Sequence, residues 1–207
     1  MHLLSQCSRW KQLVFQVLLW TALITMYQYI VTETEGSAGD TKPTTHYSMF
    51  QDVHVMIFIG FALKLAPHVR SVYHLSATVM VAVFAAIFFI PNFWLWTALL
   101  TEHAAESETW QRVSIGVDVL VNADFCAGAV LISFGALIGR VSIVQLLVIA
   151  AFEVVFYSIN MALVYGRFAA ADIGGTMVIH LFGAYFGLTV SLLLDRTPER
   201  RAKRAGK

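Results

Sequence analysis

The chain has 207 residues, 58% of them hydrophobic and only 13% charged, with a formal net charge of +1. This composition excludes a soluble domain, a disordered chain and a nucleic-acid-binding protein, and it is typical of an integral membrane protein. A helix needs about 20 apolar residues to cross a hydrocarbon core of about 30 Å, so the length allows six crossings with short connections.

Six apolar stretches predict an all-α membrane protein that forms one domain over residues 1–207. Three of them, at 12–32, 71–101 and 173–194, contain no Lys, Arg, Asp or Glu, and the cores of the other three contain only isolated acids. The first stretch is longer than the roughly 7 to 15 residues of a signal-peptide core, which favours a retained helix over a cleaved signal. We expect helices at 12–32, 50–67, 73–98, 113–139, 142–166 and 172–195, followed by a basic tail at 196–207.

The basic residues predict that both ends of the chain lie on the inner side of the membrane. With the N-terminus inside, the inner segments contain eleven Lys and Arg residues and the outer segments three. Positive charges are retained on the inner side during membrane insertion. The basic tail is also suited to rest on anionic lipid.

Short motifs predict local structure within these helices. Ser48 opens a Ser-x-x-Gln sequence with the spacing of a capping box, which predicts the first turn of the second helix there. Gly135 with Gly139, and Gly183 with Gly187, have the GxxxG spacing that lets two helix backbones approach closely in lipid. We therefore expect helix packing at both glycine pairs.

Polar side chains inside the predicted helices are informative, because a charge at the bilayer centre costs roughly 2.5 to 3.5 kcal/mol on insertion scales. Such groups usually face protein or a water-filled cavity rather than lipid. For Asp118, Asp124, Glu153 and Asn160 we expect hydrogen bonds between helices.

His180 lies near the bilayer centre, because it follows Asp172 at the start of the last predicted helix by eight residues, or about 12 Å. Gly183, Ala184 and Gly187 follow it at i+3, i+4 and i+7, so we expect the imidazole on the same packed face and not toward lipid. From the residues alone, a structural hydrogen bond and a functional role both stay open.

The sequence contains no motif typical of an enzyme: HExxH, GxSxG, Walker and dinucleotide-binding patterns are absent. Cys7 and Cys126 are too few for a disulfide framework or a thiolate metal site. We therefore expect no catalytic site, no metal and no cofactor. The alternative is a heme or metal site in which His180 pairs with His54, and an absorption spectrum without a Soret band would dismiss the heme.

Four segments carry a distinctive pattern: FQDVHVMIFIGF at 50–61, NADFC at 122–126, ISFGALIG at 132–139 and DIGGTMVIHLFGAYFGL at 172–188. Together they closely resemble the Rh glycoproteins of the ammonium transporter family, and the resemblance covers nearly the whole chain from residue 50 onward. The helix before residue 50 is similar to the additional N-terminal helix of Rh proteins. The resemblance implies the first inverted repeat of the ammonium transporter fold plus this extra helix.

The family implies a trimer in which each protomer contains a narrow apolar conduit for ammonia, with a phenylalanine gate above two histidines. By motif, Phe125 resembles a gate phenylalanine, Asp172 the acid of the outer vestibule, and His180 the first of the paired histidines. Ammonium is strongly hydrated, so an apolar conduit with imidazole acceptors favours passage of neutral ammonia.

Family members contain a second, inverted half, and the pore lies between the two halves. This chain resembles only the first half, so it is expected to lack the second pore histidine, the second gate phenylalanine and one wall of the conduit. Two copies in the same membrane orientation cannot replace an inverted partner. We therefore expect that this chain does not conduct by itself.

Two functions are compatible with this expectation. The first is a non-conducting structural or accessory subunit of a larger membrane complex, whose other subunits cover the face vacated by the missing half. The alternative is an ammonia channel component completed by a separate second half, which the presence of Phe125, Asp172 and His180 favours. The sequence contains no N-x-S/T glycosylation site, which favours the mitochondrial inner membrane over the plasma membrane.

Overall fold

The computed structural model describes residues 14, 18, 21, 22, 24, 25, 27, 31, 32, 45–65, 72–100, 113, 114 and 116–195. The α-helices are α1 (Thr45–Val55), α2 (Phe61–Leu65), α3 (Val72–Leu100), α4 (Val117–Leu137), α5 (Ile143–Met161) and α6 (Phe182–Asp195). π-Helical turns occupy Met56–Gly60, Ala162–Arg167 and Thr176–Leu181, and a 3₁₀ turn occupies Ile173–Gly175. Two short strands are β1 (Val31–Thr32) and β2 (Val113–Ser114).

The fold is that of an all-α membrane protein, as predicted. In the described part of the chain, four helical stretches are long and apolar enough to cross a bilayer: Thr78–Leu100, Val117–Leu137, Ile143–Arg167 and Ile173–Asp195. The second predicted helix corresponds to α1, the adjoining π turn and α2, within which Tyr47–Leu63 is a shorter apolar helix. The first predicted helix, at 12–32, lies largely outside the described residues, but those described between Val14 and Tyr27 are helical.

Two predicted helix ends are wrong, because the chain forms a short parallel strand pair there. Val31 and Thr32 of β1 pair with Val113 and Ser114 of β2, whereas we predicted helices over 12–32 and 113–139. Three of these four residues, Val31, Thr32 and Val113, are β-branched and fit a pleated strand better than a helix. The fourth helix therefore begins at Val117, after the extended Gly116.

The predicted capping box at Ser48 is also wrong. Helix α1 begins at Thr45, so Ser48 lies inside its first turn rather than before it. A capping box is formed instead by Ser142 and Gln145 at the start of α5. The Gln145 backbone N–H donates to Ser142 Oγ at 3.4 Å, and the Ser142 N–H donates to Gln145 Oε1 at 2.9 Å. These two bonds satisfy donors that a helix start leaves unpaired.

Helix α3 contains Pro91, and a side chain from the N-terminal region compensates for it. Proline has no backbone N–H, so the carbonyl of Ile87, four residues earlier, loses its helical donor. The Tyr27 hydroxyl donates to that carbonyl at 2.7 Å. The bond joins the N-terminal region to α3 and satisfies a polar group that lipid cannot.

The core lies where α3, α4 and α5 pack together. Phe89 of α3 and Phe134 of α4 are fully buried, and the Phe89 ring meets Tyr157 of α5 edge to face at 5.6 Å. The last helical stretch is different, because 22% of its membrane-spanning segment is buried inside the protein, whereas the value for α4 is 61%. One side of α6 packs on α4, and most of its remaining surface is exposed in this chain.

Close packing of α6 on α4 depends on two of the four predicted glycines. A Cβ at Gly183 would lie 2.7 Å from the Ala129 carbonyl oxygen, and a Cβ at Gly187 would lie 2.7 Å from the Ser133 Cα. Only glycine permits such an approach.

The predicted packing at Gly135 and Gly139 is not seen in the described part of the chain. Nothing lies within 4 Å of a Cβ at either position. Gly139 instead has a φ of +72° just after α4. It therefore permits the turn into α5, because only glycine adopts this left-handed conformation without strain.

Candidate functional site

Asp172 fixes the start of the last helical stretch. Its carboxylate accepts the Met177 N–H at 3.0 Å from each oxygen and the Val178 N–H at 2.9 Å from Oδ2. Between the acid and these amides, Gly174 and Gly175 have φ values of +73° and +66°, a conformation that favours glycine. The Gly-Gly turn thus lets the carboxylate fold back over the helix start, where its negative charge is favoured.

Ile179 anchors this helix start in the core, one residue before His180. Its side chain packs against Gly175 and lies 3.9 Å from the position of a Cβ at Gly128 on α4. The Cβ position at Gly128 is also 2.9 Å from Cδ1 of Ile57, which belongs to the π turn Met56–Gly60. This π turn, α4 and the last helical stretch therefore meet at Gly128. Since Ile179 is buried and His180 is exposed, the anchor directs the imidazole away from the core.

The predicted position of His180 on a packed face is wrong. Gly183 and Gly187 are buried against α4, whereas His180 and Ala184 are exposed. Ala184 follows His180 by four residues and shares its exposure, as helical spacing predicts. The two glycines lie on the side of the helix that meets α4, and His180 lies outside that contact.

His180 lies among exposed apolar side chains that form what we call the α6 face. Its members are exposed and belong to the last helical stretch: Ile173, Met177, His180, Leu181, Ala184, Tyr185, Leu188 and Leu192. Asp172 is at the end of this face where the helix begins. The α6 face is thus an apolar wall with one imidazole, bounded at one end by an acid whose carboxylate holds the backbone.

Phe125 lies on α4, which contacts the π turn that carries His180. Its ring is half-buried and packs against the core. The structure therefore places Phe125, Asp172 and His180 on two neighbouring elements. Their roles as gate, vestibule acid and pore histidine remain predictions.

Two of the four predicted hydrogen bonds between helices are confirmed. Asp124 on α4 bonds to His54 on α1, with 3.0 Å between Oδ2 and Nδ1. Glu153 on α5 bonds to Ser133 on α4. Asp118 is exposed in the first turn of α4 and Asn160 is half-buried in α5, and for these two the prediction stays a prediction.

Ser133 is a structurally important residue that sequence reasoning missed. Its hydroxyl is fully buried and contacts both Glu153 Oε1 and the Gly183 carbonyl oxygen, the latter at 2.8 Å. The available signal was its position in the segment 132–139, two residues before Gly135. Serine in a membrane helix commonly bonds across to a neighbouring helix.

The candidate site has few groups that could bind a ligand by charge or coordination. Within the described ranges, no three His, Cys, Asp or Glu side chains are arranged to hold a metal ion. The bond from His54 to Asp124 uses Nδ1 of the imidazole and leaves Nε2 for another partner, so the alternative pairing of His54 with His180 stays a prediction. The site is a largely apolar face that carries the imidazole of His180. In its neutral form this ring donates one hydrogen bond from one nitrogen and accepts one at the other.

Comparison with known proteins assigns the family. A model of the Ammonium Transporter Family matches residues 14–207. The chain is 36% identical to ammonium transporter Rh type C of Canis lupus familiaris over 210 residues, covering 94% of this chain and 44% of the relative. It is 41% identical to Rh type B of Rattus norvegicus over 157 residues, and 42% identical to Rh type B of Danio rerio over 163.

Each of the last two matches covers 76% of this chain, and they cover 33% and 34% of the relatives respectively. The chain therefore spans less than half the length of the curated relatives it matches. The family-model match, over residues 14–207, includes the Asp172 turn and the α6 face. This integral membrane protein belongs to the Ammonium Transporter Family.

Proposed function

We propose that this chain forms one wall of an ammonia-conducting pathway, and that a second set of helices must close the pathway over the α6 face. The relatives it matches are ammonium transporters. The observation that carries the proposal is the exposure of His180 on an apolar face whose start is fixed by Asp172. In this proposal His180 accepts a hydrogen bond from the passing molecule.

The physical basis is the difference between ammonia and ammonium. Moving an ion from water to an apolar surface is far more costly than moving a small neutral molecule. The imidazole offers an acceptor along a face whose other polar group is the Tyr185 hydroxyl, so it favours the neutral species without replacing a full hydration shell. Proton loss before entry is part of this proposal, and Asp172 is at the end of the face where it would occur.

Among the described residues, no other helix covers the exposed side chains of the α6 face, which supports the expectation that the chain does not conduct by itself. The same exposure supports the second candidate, a non-conducting accessory subunit whose partners cover this face. We favour the channel component, because an apolar docking surface does not require an imidazole. The partner in our proposal is an inverted set of helices of the same family.

Flux measurements on reconstituted protein test the proposal. The purified chain is placed in liposomes alone, or together with the second half of Rh type B from Rattus norvegicus expressed as a separate polypeptide. An ammonium gradient is applied by stopped flow, and internal pH is followed with a trapped dye. We expect liposomes with the chain alone to match empty liposomes, and the co-purified pair to show faster alkalinisation.

Matched variants connect the flux to the site. In the pair, His180→Ala is expected to reduce permeation strongly, whereas Asp52→Ala, an exposed acid on α1, is expected to leave it unchanged. Fast, His180-dependent flux from the chain alone would refute the need for a second wall. A pair that co-purifies but gives no flux would refute the channel component and leave the accessory subunit.

Membrane orientation and compartment are part of the proposal. The charge distribution supports both termini on the inner side, with the basic tail near anionic lipid. Protease protection of tags placed at either end tests the orientation. Fractionation of cells that express the tagged chain decides between the mitochondrial inner membrane and the plasma membrane.

A further inference from the structure

Ser133 of α4 contacts α5 and α6 at a place where α4 and α6 approach closely. A Cβ added at Gly187 of α6 would lie 2.7 Å from the Cα of Ser133 and 2.8 Å from its carbonyl oxygen. Its hydroxyl contacts the Gly183 carbonyl oxygen of α6 at 2.8 Å and Glu153 Oε1 of α5. One hydroxyl therefore lies between two acceptor oxygens of different helices.

The number of protons at this junction decides the direction of the bonds. A serine hydroxyl has one proton to donate, and a carbonyl oxygen can only accept. If the serine proton goes to the Gly183 carbonyl, the contact with Glu153 requires a proton on the carboxyl group. If Glu153 were ionised, the Ser133 hydroxyl would donate its single proton to the carboxylate. The lone pairs of Ser133 Oγ would then face the Gly183 carbonyl oxygen at 2.8 Å with no proton between the two oxygens.

Burial of Glu153 supports the protonated form. The side chain is fully buried, and its second oxygen, Oε2, has no hydrogen-bond partner among the residues that the structure describes. A carboxylate with one oxygen unpaired is far more costly in a low-dielectric interior than a neutral acid whose carbonyl oxygen is unpaired. The geometry around both oxygens thus favours the acid.

The helices packed around Glu153 supply no opposing charge in the middle of the bundle. Helix α3 contains no Lys, Arg, Asp or Glu, and α6 contains only Asp195, at its far end. The titratable groups near Glu153 are Cys126 on α4 and Tyr157 on α5, while Tyr185 of α6 is exposed. Arg140 bonds to Ser191 and Asp195 at the other end of α6.

We propose that Glu153 is held as a neutral carboxylic acid that donates its proton to Ser133, which in turn donates to the Gly183 carbonyl. Glu153 is then a positioning residue that fixes α6 against α4 and α5. Gly183 lies one helical turn beyond His180, so this relay also sets the placement of the α6 face. The proposal does not depend on conduction by the protein.

Infrared spectroscopy of the purified full chain tests the protonation state directly. At neutral pH we expect a carbonyl-stretch band of a protonated carboxylic acid that is present in the wild type and lost in Glu153→Gln. The matched control is Asp52→Asn, which changes an exposed acid on α1 and is expected to retain the band. A wild-type spectrum without a band removed by Glu153→Gln would overturn the proposal.

Thermal unfolding adds a readout that simple packing would not produce. The Gln amide donates to Ser133 as the acid does, so Glu153→Gln is expected to melt at the wild-type temperature, whereas Glu153→Met and Ser133→Ala melt several degrees lower. With Glu153 protonated, the folded wild type binds one more proton at neutral pH than the unfolded chain, so the free energy of unfolding falls as pH rises. Glu153→Gln removes this contribution to the pH dependence of stability.

Equal destabilisation by Glu153→Gln and Glu153→Met, or an unchanged pH slope in Glu153→Gln, would overturn the proposal. Should Glu153→Met or Ser133→Ala fail to fold, the infrared comparison of the wild type with Glu153→Gln decides alone, because the amide variant keeps the size and the donor of the original side chain.

Discussion

Asp172 offers the sharpest test of how the candidate site is built. Its carboxylate holds two backbone amides at the start of the last helical stretch, those of Met177 and Val178. Asp172→Ala removes both acceptors while leaving the Gly-Gly turn in place. The two amides lie in different surroundings, because Met177 is exposed and Val178 is 1% exposed.

The expected loss follows from that difference. The Met177 N–H can bond to water once the carboxylate is gone, so its contribution is small. The Val178 N–H at a buried residue has less access to water, and an unsatisfied buried donor costs about 1 to 3 kcal/mol. We therefore expect Asp172→Ala to lower the free energy of unfolding by about 2 kcal/mol, within the range measured for lost helix caps.

Asp172→Asn separates hydrogen bonding from charge. Oδ2 alone accepts from both amides, at 3.0 and 2.9 Å, so an amide oxygen at that position keeps both bonds. The remaining loss is the interaction of the charge with the helix start, about 0.3 to 1 kcal/mol.

Denaturant unfolding of the detergent-solubilised chain, followed by circular dichroism, measures these differences, with Asp52→Ala as the exposed-acid control. The reasoning is refuted if Asp172→Ala stays within about 0.5 kcal/mol of the wild type, the usual range for surface changes, or if Asn costs as much as Ala.

Two further changes test the helix contacts. Tyr27→Phe is expected to lower the free energy of unfolding by about 1 to 2 kcal/mol, because the Ile87 carbonyl loses its donor. The loss should be much smaller in a Pro91→Ala background, where residue 91 again has a backbone N–H to donate to that carbonyl. Equal losses in both backgrounds of this double-mutant cycle would contradict the prediction. Gly187→Ala places a Cβ against the α4 backbone and is expected to lower the free energy of unfolding by about 1 to 3 kcal/mol. Gly135→Ala places its Cβ in open space and is expected to be neutral or stabilising. Thermal melts that rank the two variants in the opposite order would refute the packing argument.

Composition predicted the helical fold well, because a segment must be apolar over about 20 residues to cross a bilayer. It predicted helix ends less well. Val113 and Ser114 continue the apolar stretch before α4, yet they pair with β1. A two-residue strand is too short to have a periodicity that distinguishes it from a helix end. The Ser142 capping box had the same Ser-x-x-Gln spacing as Ser48, and its place just after the Gly139 turn was the distinguishing signal.

The site residues were identifiable from the sequence, but their surroundings were not. Spacing placed His180 near the middle of a helix, but it did not show that Ile179 beside it would be buried and the imidazole exposed. Bonds such as His54 to Asp124 join residues 70 positions apart. No local pattern encodes such a pair, because its geometry arises only when α1 packs on α4.

The exposed side chains of α6 do not by themselves require a protein partner. Leucine and isoleucine are as favourable against lipid tails as against another helix, so Leu188 and Leu192 fit either surrounding. His180 is different, because an imidazole in hydrocarbon loses hydrogen-bond partners at both ring nitrogens, and ionisable residues in membrane helices usually face protein or water. In our proposal the second wall of the conduit supplies a polar group or water beside His180, which a purely apolar docking partner does not.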